Sequence, residues 1–197
     1  MDPKILGKAY DRLAKWWHGR MHGSQYGIRQ LERALNFCTR TGPALDVGCG
    51  VGGRMIELIQ QRGFQVTGID VSAEMIRLAR KNHPGGDFLF ADICTWDTER
   101  RFDFIVAWDS IFHLPLAMQE PVVKKMCRLL MDGGVLLYTF GDAEGEHDDV
   151  MRGEVLHYSS IGIRGNLRVL AETGLTCKHL ELDHWPEKHA YIIGVKV

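Results

Sequence analysis

The sequence predicts an α/β protein: a doubly wound, mostly parallel seven-stranded sheet with helices on both faces and a C-terminal antiparallel hairpin. Three observations carry that expectation. A short apolar run (Ala44, Leu45, Val47) ends in a glycine-dense turn of Gly48, Gly50, Gly52 and Gly53, and a helical pattern follows, as in a strand, a tight turn and a crossover helix. Apolar runs of strand length then alternate with helical segments through residue 140, which implies parallel strands joined by right-handed crossovers. The last two apolar runs, 175–182 and 189–197, are separated only by the turn 183–188 with its Pro186, a spacing that makes a hairpin.

Residues 4–18 set Ile5, Leu6, Ala9, Leu13, Trp16 and Trp17 at helical spacing, with Lys4, Lys8, Arg12 and Lys15 opposite. That predicts an amphipathic helix packed on the core. Tyr10, Trp16 and Trp17, just before a break at Gly19 and Gly23, would also suit a lid over a ligand. A second helix is expected over 24–40, with Ile28, Leu31, Leu35 and Cys38 on one face, ended by Thr41, Gly42 and Pro43. The strand 44–47, a helix over 54–62 and a strand over 65–69 follow. Ser72 is placed to cap a helix over 73–82, with Glu74 in its first turn and Arg77, Arg80 and Lys81 towards its end, a favourable dipole arrangement.

Pro84, Gly85 and Gly86 precede a third strand, 87–91, which ends in Asp92. The fourth strand, 102–108, carries Trp108, Asp109 and Ser110 at its tip, with His113 close behind. A helix over 115–131, a turn at Asp132, Gly133 and Gly134, and a fifth strand over 135–140 complete the regular part. An acidic loop (Asp142, Glu144, Glu146, Asp148, Asp149) then leads to an extended piece, 155–158, and a helix over 161–172. That loop is read as solvated, in preference to a magnesium site; no metal site is expected.

Ligands of such sheets sit beyond the carboxyl ends of the strands, where Gly48, Asp70, Asp92, Trp108 and Asp109 all fall. Glycines there let the backbone approach a ligand and aim N–H groups at it. Asp70, about 20 residues past the glycines, can accept both hydroxyls of a ribose. Gly48, Gly50 and Gly53 also satisfy the dinucleotide fingerprint G-x-G-x-x-G, so the turn alone leaves an NAD-dependent oxidoreductase open.

With 197 residues, 45% of them hydrophobic and 25% charged, the chain can bury a substantial core. A formal net charge of -1 gives no reason to expect a nucleic-acid or membrane partner. Five scattered cysteines without a C-x-x-C pair (Cys38, Cys49, Cys94, Cys127, Cys177) argue for reduced thiols in a cytoplasmic protein and against zinc. No targeting peptide is expected ahead of the fold, and oligomeric state stays open.

Over nearly its whole length the chain resembles the class I S-adenosylmethionine (SAM) dependent methyltransferases of small molecules. The matching stretches are LDVGCGVGG, GIDVSAEMI, FLFADI, FDFIVAWDSIFHL, LLMDGGVLLYTF and the closing hairpin. The resemblance implies a single domain over 1–197, with lid helices over 1–40, a SAM-binding core over 43–140 and an acceptor-side loop and hairpin over 141–197. It implies that backbone at Gly48, Gly50 and Gly52 lines the methionine moiety, with Asp46 nearest its ammonium. Asp70 would bind the ribose diol, Val71 and Met75 would flank the adenine, and Asp92 with the Ile93 amide would read the adenine edge. Trp108 would offer a backbone carbonyl to the ammonium, and Tyr10 matches a tyrosine common near the methyl donor.

The reaction so implied is methyl transfer from SAM to a small-molecule O, N or S nucleophile. His113 is the first candidate base. Asp109 is the second catalytic candidate, orienting His113 or binding an acceptor amine; His147, His157, Tyr158 and His189 are candidates for the acceptor pocket. The stretch WDSIFH lacks the N-P-P-Y type of sequence that holds a flipped base, and no basic stripe follows a phosphate backbone. A non-catalytic SAM-binding module is the other alternative.

Overall fold

The computed structural model describes residues 1–183 and 188–197. The turn holding Pro186 therefore lies outside the described residues. Seven strands form one sheet: β1 (Pro43–Val47), β2 (Gln65–Asp70), β3 (Asp87–Phe90), β4 (Phe102–Ala107), β5 (Leu130–Gly141), β8 (Leu175–Asp183) and β9 (His189–Lys196). Their order is β3-β2-β1-β4-β5-β9-β8. The first five are parallel, β9 runs antiparallel to β5, and β8 pairs antiparallel with β9. A dinucleotide-binding sheet has the order 3-2-1-4-5-6, so the inserted antiparallel edge separates this fold from the NAD-dependent alternative.

Alternation along the strands divides the core into two layers. Leu45, Val47, Ile105, Ala107, Leu136 and Tyr138 point to one face, covered by α5 (Leu116–Leu129) and α6 (Gly162–Glu172). Ala44, Phe104, Val106, Val135, Leu137 and Ile193 point to the other, covered by α2 (Ile28–Leu35), α3 (Arg54–Gln61) and α4 (Ala73–Asn82). Because β4 is buried along its entire length, it shows, apart from Asp103, the apolar run of a central parallel strand.

Several boundaries differ from those read in the sequence. The second helix spans only Ile28–Leu35, because Gly27, at φ 80°, starts it and Asn36 caps its end. The third strand stops at Phe90; Asp92 lies past it and caps the next turn by accepting from the Cys94 N–H at 2.9 Å. The acidic segment is not a loop but a strand, β6 (Glu144–Met151), paired antiparallel with β7 (Glu154–Ile161) in a separate two-stranded sheet. Ile5, counted on the apolar face of the first helix, is 58% exposed.

The first helix, α1 (Pro3–Met21), lies across the strand ends. It buries Leu6, Ala9 and Leu13 against Leu156 of β7, and Ala14 against Met75 and Leu78 of α4. Asp11 ties it down further, accepting from the Ser72 hydroxyl at 2.6 Å and the Glu74 N–H at 2.9 Å. Ser72 itself caps α4 through the Met75 N–H, as its position in the sequence predicts. Gly7 is the close contact: a Cβ there would stand 2.1 Å from the Val71 carbonyl oxygen. Gly7→Val is therefore expected to lift α1 from the end of β2, costing about 1–3 kcal/mol of stability and opening α1 to limited proteolysis. Unchanged denaturation and cleavage would show that α1 is not seated there.

Candidate active site

Each loop that leaves the carboxyl end of β1, β2, β3 or β4 contributes to one cavity of about 660 Å³, roofed by α1. Every residue singled out in the sequence for the cofactor or for catalysis lines it: Tyr10, Asp46, Gly48, Gly50, Gly52, Asp70, Val71, Met75, Asp92, Ile93, Trp108, Asp109 and His113. The floor is the glycine turn. Gly48 has φ 76°, and a Cβ there would meet the Ser110 Cβ at 2.2 Å. Only glycine satisfies both demands, so the backbone itself faces the cavity. Ser110 holds the turn, donating its hydroxyl to the Val47 carbonyl at 2.6 Å.

Two carboxylates at the ends of adjacent strands define the electrostatics. Asp70 accepts from the Gly50 N–H (2.9 Å) and the Ser72 N–H (2.8 Å), one bond per oxygen, which leaves each oxygen able to accept another. Burial raises its pKa to about 6 despite those bonds. Asp46, 5% exposed, makes no hydrogen bond or ion pair with a described residue. Burial first, then the nearby Asp70 charge, raises its pKa to about 7, partly offset by Arg54. A buried carboxylate without a partner is costly, and a cation delivered to the cavity would relieve that cost.

His113, in the turn Ile111–His113, is 4% exposed, with both ring nitrogens engaged. Nδ1 lies 2.7 Å from the His157 carbonyl oxygen and Nε2 lies 2.7 Å from the Tyr10 hydroxyl. A carbonyl only accepts, so Nδ1 carries the proton and Nε2 accepts from the Tyr10 O–H. Desolvation lowers the His113 pKa to about 4, keeping it neutral. Burial pushes the Tyr10 phenol up, so it keeps its proton. The hydroxyl hydrogen is thus committed to His113, and the free lone pairs of Tyr10 remain.

Asp109 does not touch His113. It sits in the left-handed region at φ 50°, an uncommon conformation for a residue with a side chain. Its carboxylate takes His189 Nε2 at 3.1 Å and the Tyr26 hydroxyl at 3.4 Å. From here a second cavity of about 810 Å³ opens, and the two share Met21, Ser24 and Asp109. His147, Tyr158 and His189 line the second cavity, as does Phe112. His157 does not: its imidazole turns to Asp148 at 2.7 Å. Phe112 stacks on Tyr158 at 5.6 Å between ring centroids, and Tyr158 on His147 at 5.3 Å. The ionic lining is mainly acidic, with Asp109, Asp142, Glu144 and Glu146 against Arg20 and Lys188. Asp142 Oδ1 is buried there without a hydrogen bond to a described residue.

Sequence reading passed over Arg54 and Phe112 and left Asp142 in a solvated loop, yet all three line these cavities; Trp17, offered there as part of a lid, lines the first. Only Arg54 had a local signal, since it follows Gly53 directly in the turn.

A sheet of this order, with carboxylates near consecutive strand ends around a glycine-floored cavity, is the fold of the class I SAM-dependent methyltransferases. Residues 44–134 match the methyltransferase domain family. It is 28% identical to a ubiquinone biosynthesis O-methyltransferase of Coxiella burnetii, over 89% of this chain and 86% of that protein. With a trans-aconitate 2-methyltransferase of Rhizobium etli it shares 32% identity over 58% of this chain. It spans only 44% of that relative's length. Among solved structures, the magnesium protoporphyrin IX methyltransferase of Synechocystis with bound SAM superposes with a TM-score of 0.76 at 16% identity, covering 100% of this chain and 98% of that one. No helix among the described residues is long and apolar enough to cross a membrane.

The buried carboxylate gives a signed prediction. A folded-state pKa raised from 3.8 to about 7 means that Asp46 destabilises the fold progressively as pH rises through that window, and fully above it. Asp46→Asn is therefore expected to raise the melting temperature of the ligand-free protein at pH about 8 and much less at pH about 5. An equal change at both pH values would contradict the ionisation argument.

Proposed function

We propose that the protein transfers a methyl group from SAM to a small-molecule nucleophile that enters through the second cavity. The observation that carries this reading is the junction of the two cavities at Met21, Ser24 and Asp109: a donor in the first and an acceptor in the second would meet there. On this reading the chain works as one domain, with 1–40 as the roof, 43–140 holding the cofactor and 141–197 forming the acceptor side. The five free thiols suit a cytoplasmic protein, and the near-neutral net charge offers nothing to a nucleic acid or a membrane.

The residues present fit the cofactor. The unpartnered Asp46 suits an ammonium, the spare acceptor sites of Asp70 suit a ribose diol, and Gly48, Gly50 and Gly52 leave room for the chain between them. Val71 and Met75 would flank the adenine. Asp92 has one carboxylate oxygen beyond its Cys94 cap, and with the Ile93 amide it would read the adenine edge; the Trp108 carbonyl would serve the ammonium. When bound, SAM supplies a sulfonium methyl already activated for in-line displacement.

What the protein adds is position and exclusion of water, worth up to roughly 7–11 kcal/mol in favourable cases. Tyr10, its proton held by His113, would turn its lone pairs towards the methyl. A His113 of pKa about 4, with both nitrogens engaged, is a weak base at neutral pH, so its role here is to hold Tyr10. Asp109 would meet the acceptor. The acidic lining of the second cavity favours an amine or another cationic acceptor and disfavours a polycarboxylate such as the trans-aconitate in the Rhizobium relative's name. A neutral amine attacks without a base, and its proton leaves for water after transfer.

Release of S-adenosylhomocysteine (SAH) from SAM, measured across amines, phenols, thiols and carboxylic acids, tests this reading. Turnover on amines is expected. Tight SAH binding with no turnover on any class would favour the non-catalytic module instead. Asp70→Ala should weaken SAH by at least about tenfold, or about 1.4 kcal/mol; unchanged affinity would remove the ribose role. Tyr10→Phe and His113→Ala should each lower kcat while SAH affinity holds within about twofold, and the double variant should be no worse than the poorer single one. A kcat limb near pH 6.5 that disappears in His113→Ala would instead make His113 the base.

A further inference from the structure

Arg54 lines the cofactor cavity and the roles above do not use its charge. It opens α3 directly after the glycine turn and lines the same cavity as Asp46. Its Nε donates to the Tyr26 carbonyl at 2.5 Å, and its guanidinium carbon stands 5.7 Å from the centroid of the Tyr26 ring. The stem is thereby fixed and the plane of the fork set. Both terminal nitrogens remain without a hydrogen-bond acceptor among the described residues, and no described carboxylate comes within ion-pair range. The group is more than half buried, and desolvation lowers its pKa.

An anchored guanidinium with an unused fork is built for a carboxylate, which it binds through two parallel N–H···O bonds. Across the turn lies the opposite case, the buried and unpartnered Asp46. These two charges face one cavity without pairing to each other. A ligand carrying one charge would satisfy only one of them. An α-amino acid carries both, an ammonium and a carboxylate on one carbon, and answers both deficits together. We propose that Arg54 holds the carboxylate of the cofactor's amino-acid end, while Asp46 holds its ammonium. The proposal rests on SAM being the ligand of this cavity and adds the residue that distinguishes an amino-acid-bearing nucleoside from one without it.

Calorimetric binding of three nucleosides to the intact chain tests it: SAH, decarboxylated SAH, which keeps the amine, and 5′-methylthioadenosine, which has neither group. Arg54→Gln should weaken SAH by about tenfold or more, the effect of losing a charge-assisted pair, and leave the other two within about twofold. Arg54→Lys should restore part of the loss as a point charge without the fork. Asp46→Asn should weaken SAH and decarboxylated SAH and spare 5′-methylthioadenosine. Unaltered 5′-methylthioadenosine binding also shows that each variant is folded. Equal weakening of all three nucleosides by Arg54→Gln would make Arg54 structural, and unchanged SAH affinity would remove it from the site; either overturns the proposal. If the wild-type chain bound none of the three, the SAM reading itself would fall, and this inference with it.

Discussion

The structure is organised around two carboxylates that burial leaves short of partners. Asp46 and Asp70 end neighbouring parallel strands, β1 and β2, whose register sets Asp46 beside Gly68. Burial there disfavours their charged forms and raises both pKa values, which costs the empty fold stability where they ionise. Such a cost persists where a ligand repays it. The surrounding features serve the same end: the left-handed Gly48 brings backbone rather than side chain to the cavity, Ser110 locks that backbone, and Arg54 stands across the turn with an unfilled fork.

The second constraint is the roof. Consecutive residues of α1 reach in two directions, Tyr10 to His113 after β4 and Asp11 to Ser72 and Glu74 at the start of α4. A displacement of α1 would therefore break contacts with both halves of the sheet. Gly7 allows the closest approach, on Val71, beside the proposed ribose ligand Asp70. The geometry of Tyr10 is in this way inherited from helix packing and from a tautomer fixed by the His157 carbonyl.

Much of the fold was legible because local and global signals agree. Apolar runs, bounded by glycines at β1 and β2, gave β1, β2 and β4 to within a residue or two, and the Ser72 cap fixed the start of α4. The second helix was overextended because its apolar period continues to Cys38, whereas the left-handed Gly27 and the turn at Asn36 decide its ends. The segment Glu144–Met151 could not be read as a strand: its residues are almost all exposed, so no alternation marks it, and only its ladder to β7 makes it one. In the site, the rim carboxylates and glycines were readable from their positions at strand ends. The state of His113 was not, since it depends on a carbonyl 44 residues away, and the Arg54 fork becomes informative only when its lack of partners is seen in three dimensions.

The central claim is that the buried Asp46 receives the cation of the cofactor. Calorimetry of SAH binding at about pH 6.5, in buffers of different ionisation enthalpy, measures the protons exchanged on binding. Asp46 is largely protonated there in the empty protein and is driven to ionise by an incoming ammonium, so binding should release a sizeable fraction of a proton, and Asp46→Asn should remove most of that release. Tight SAH binding with no proton release, or with a release unaffected by Asp46→Asn, would contradict the account.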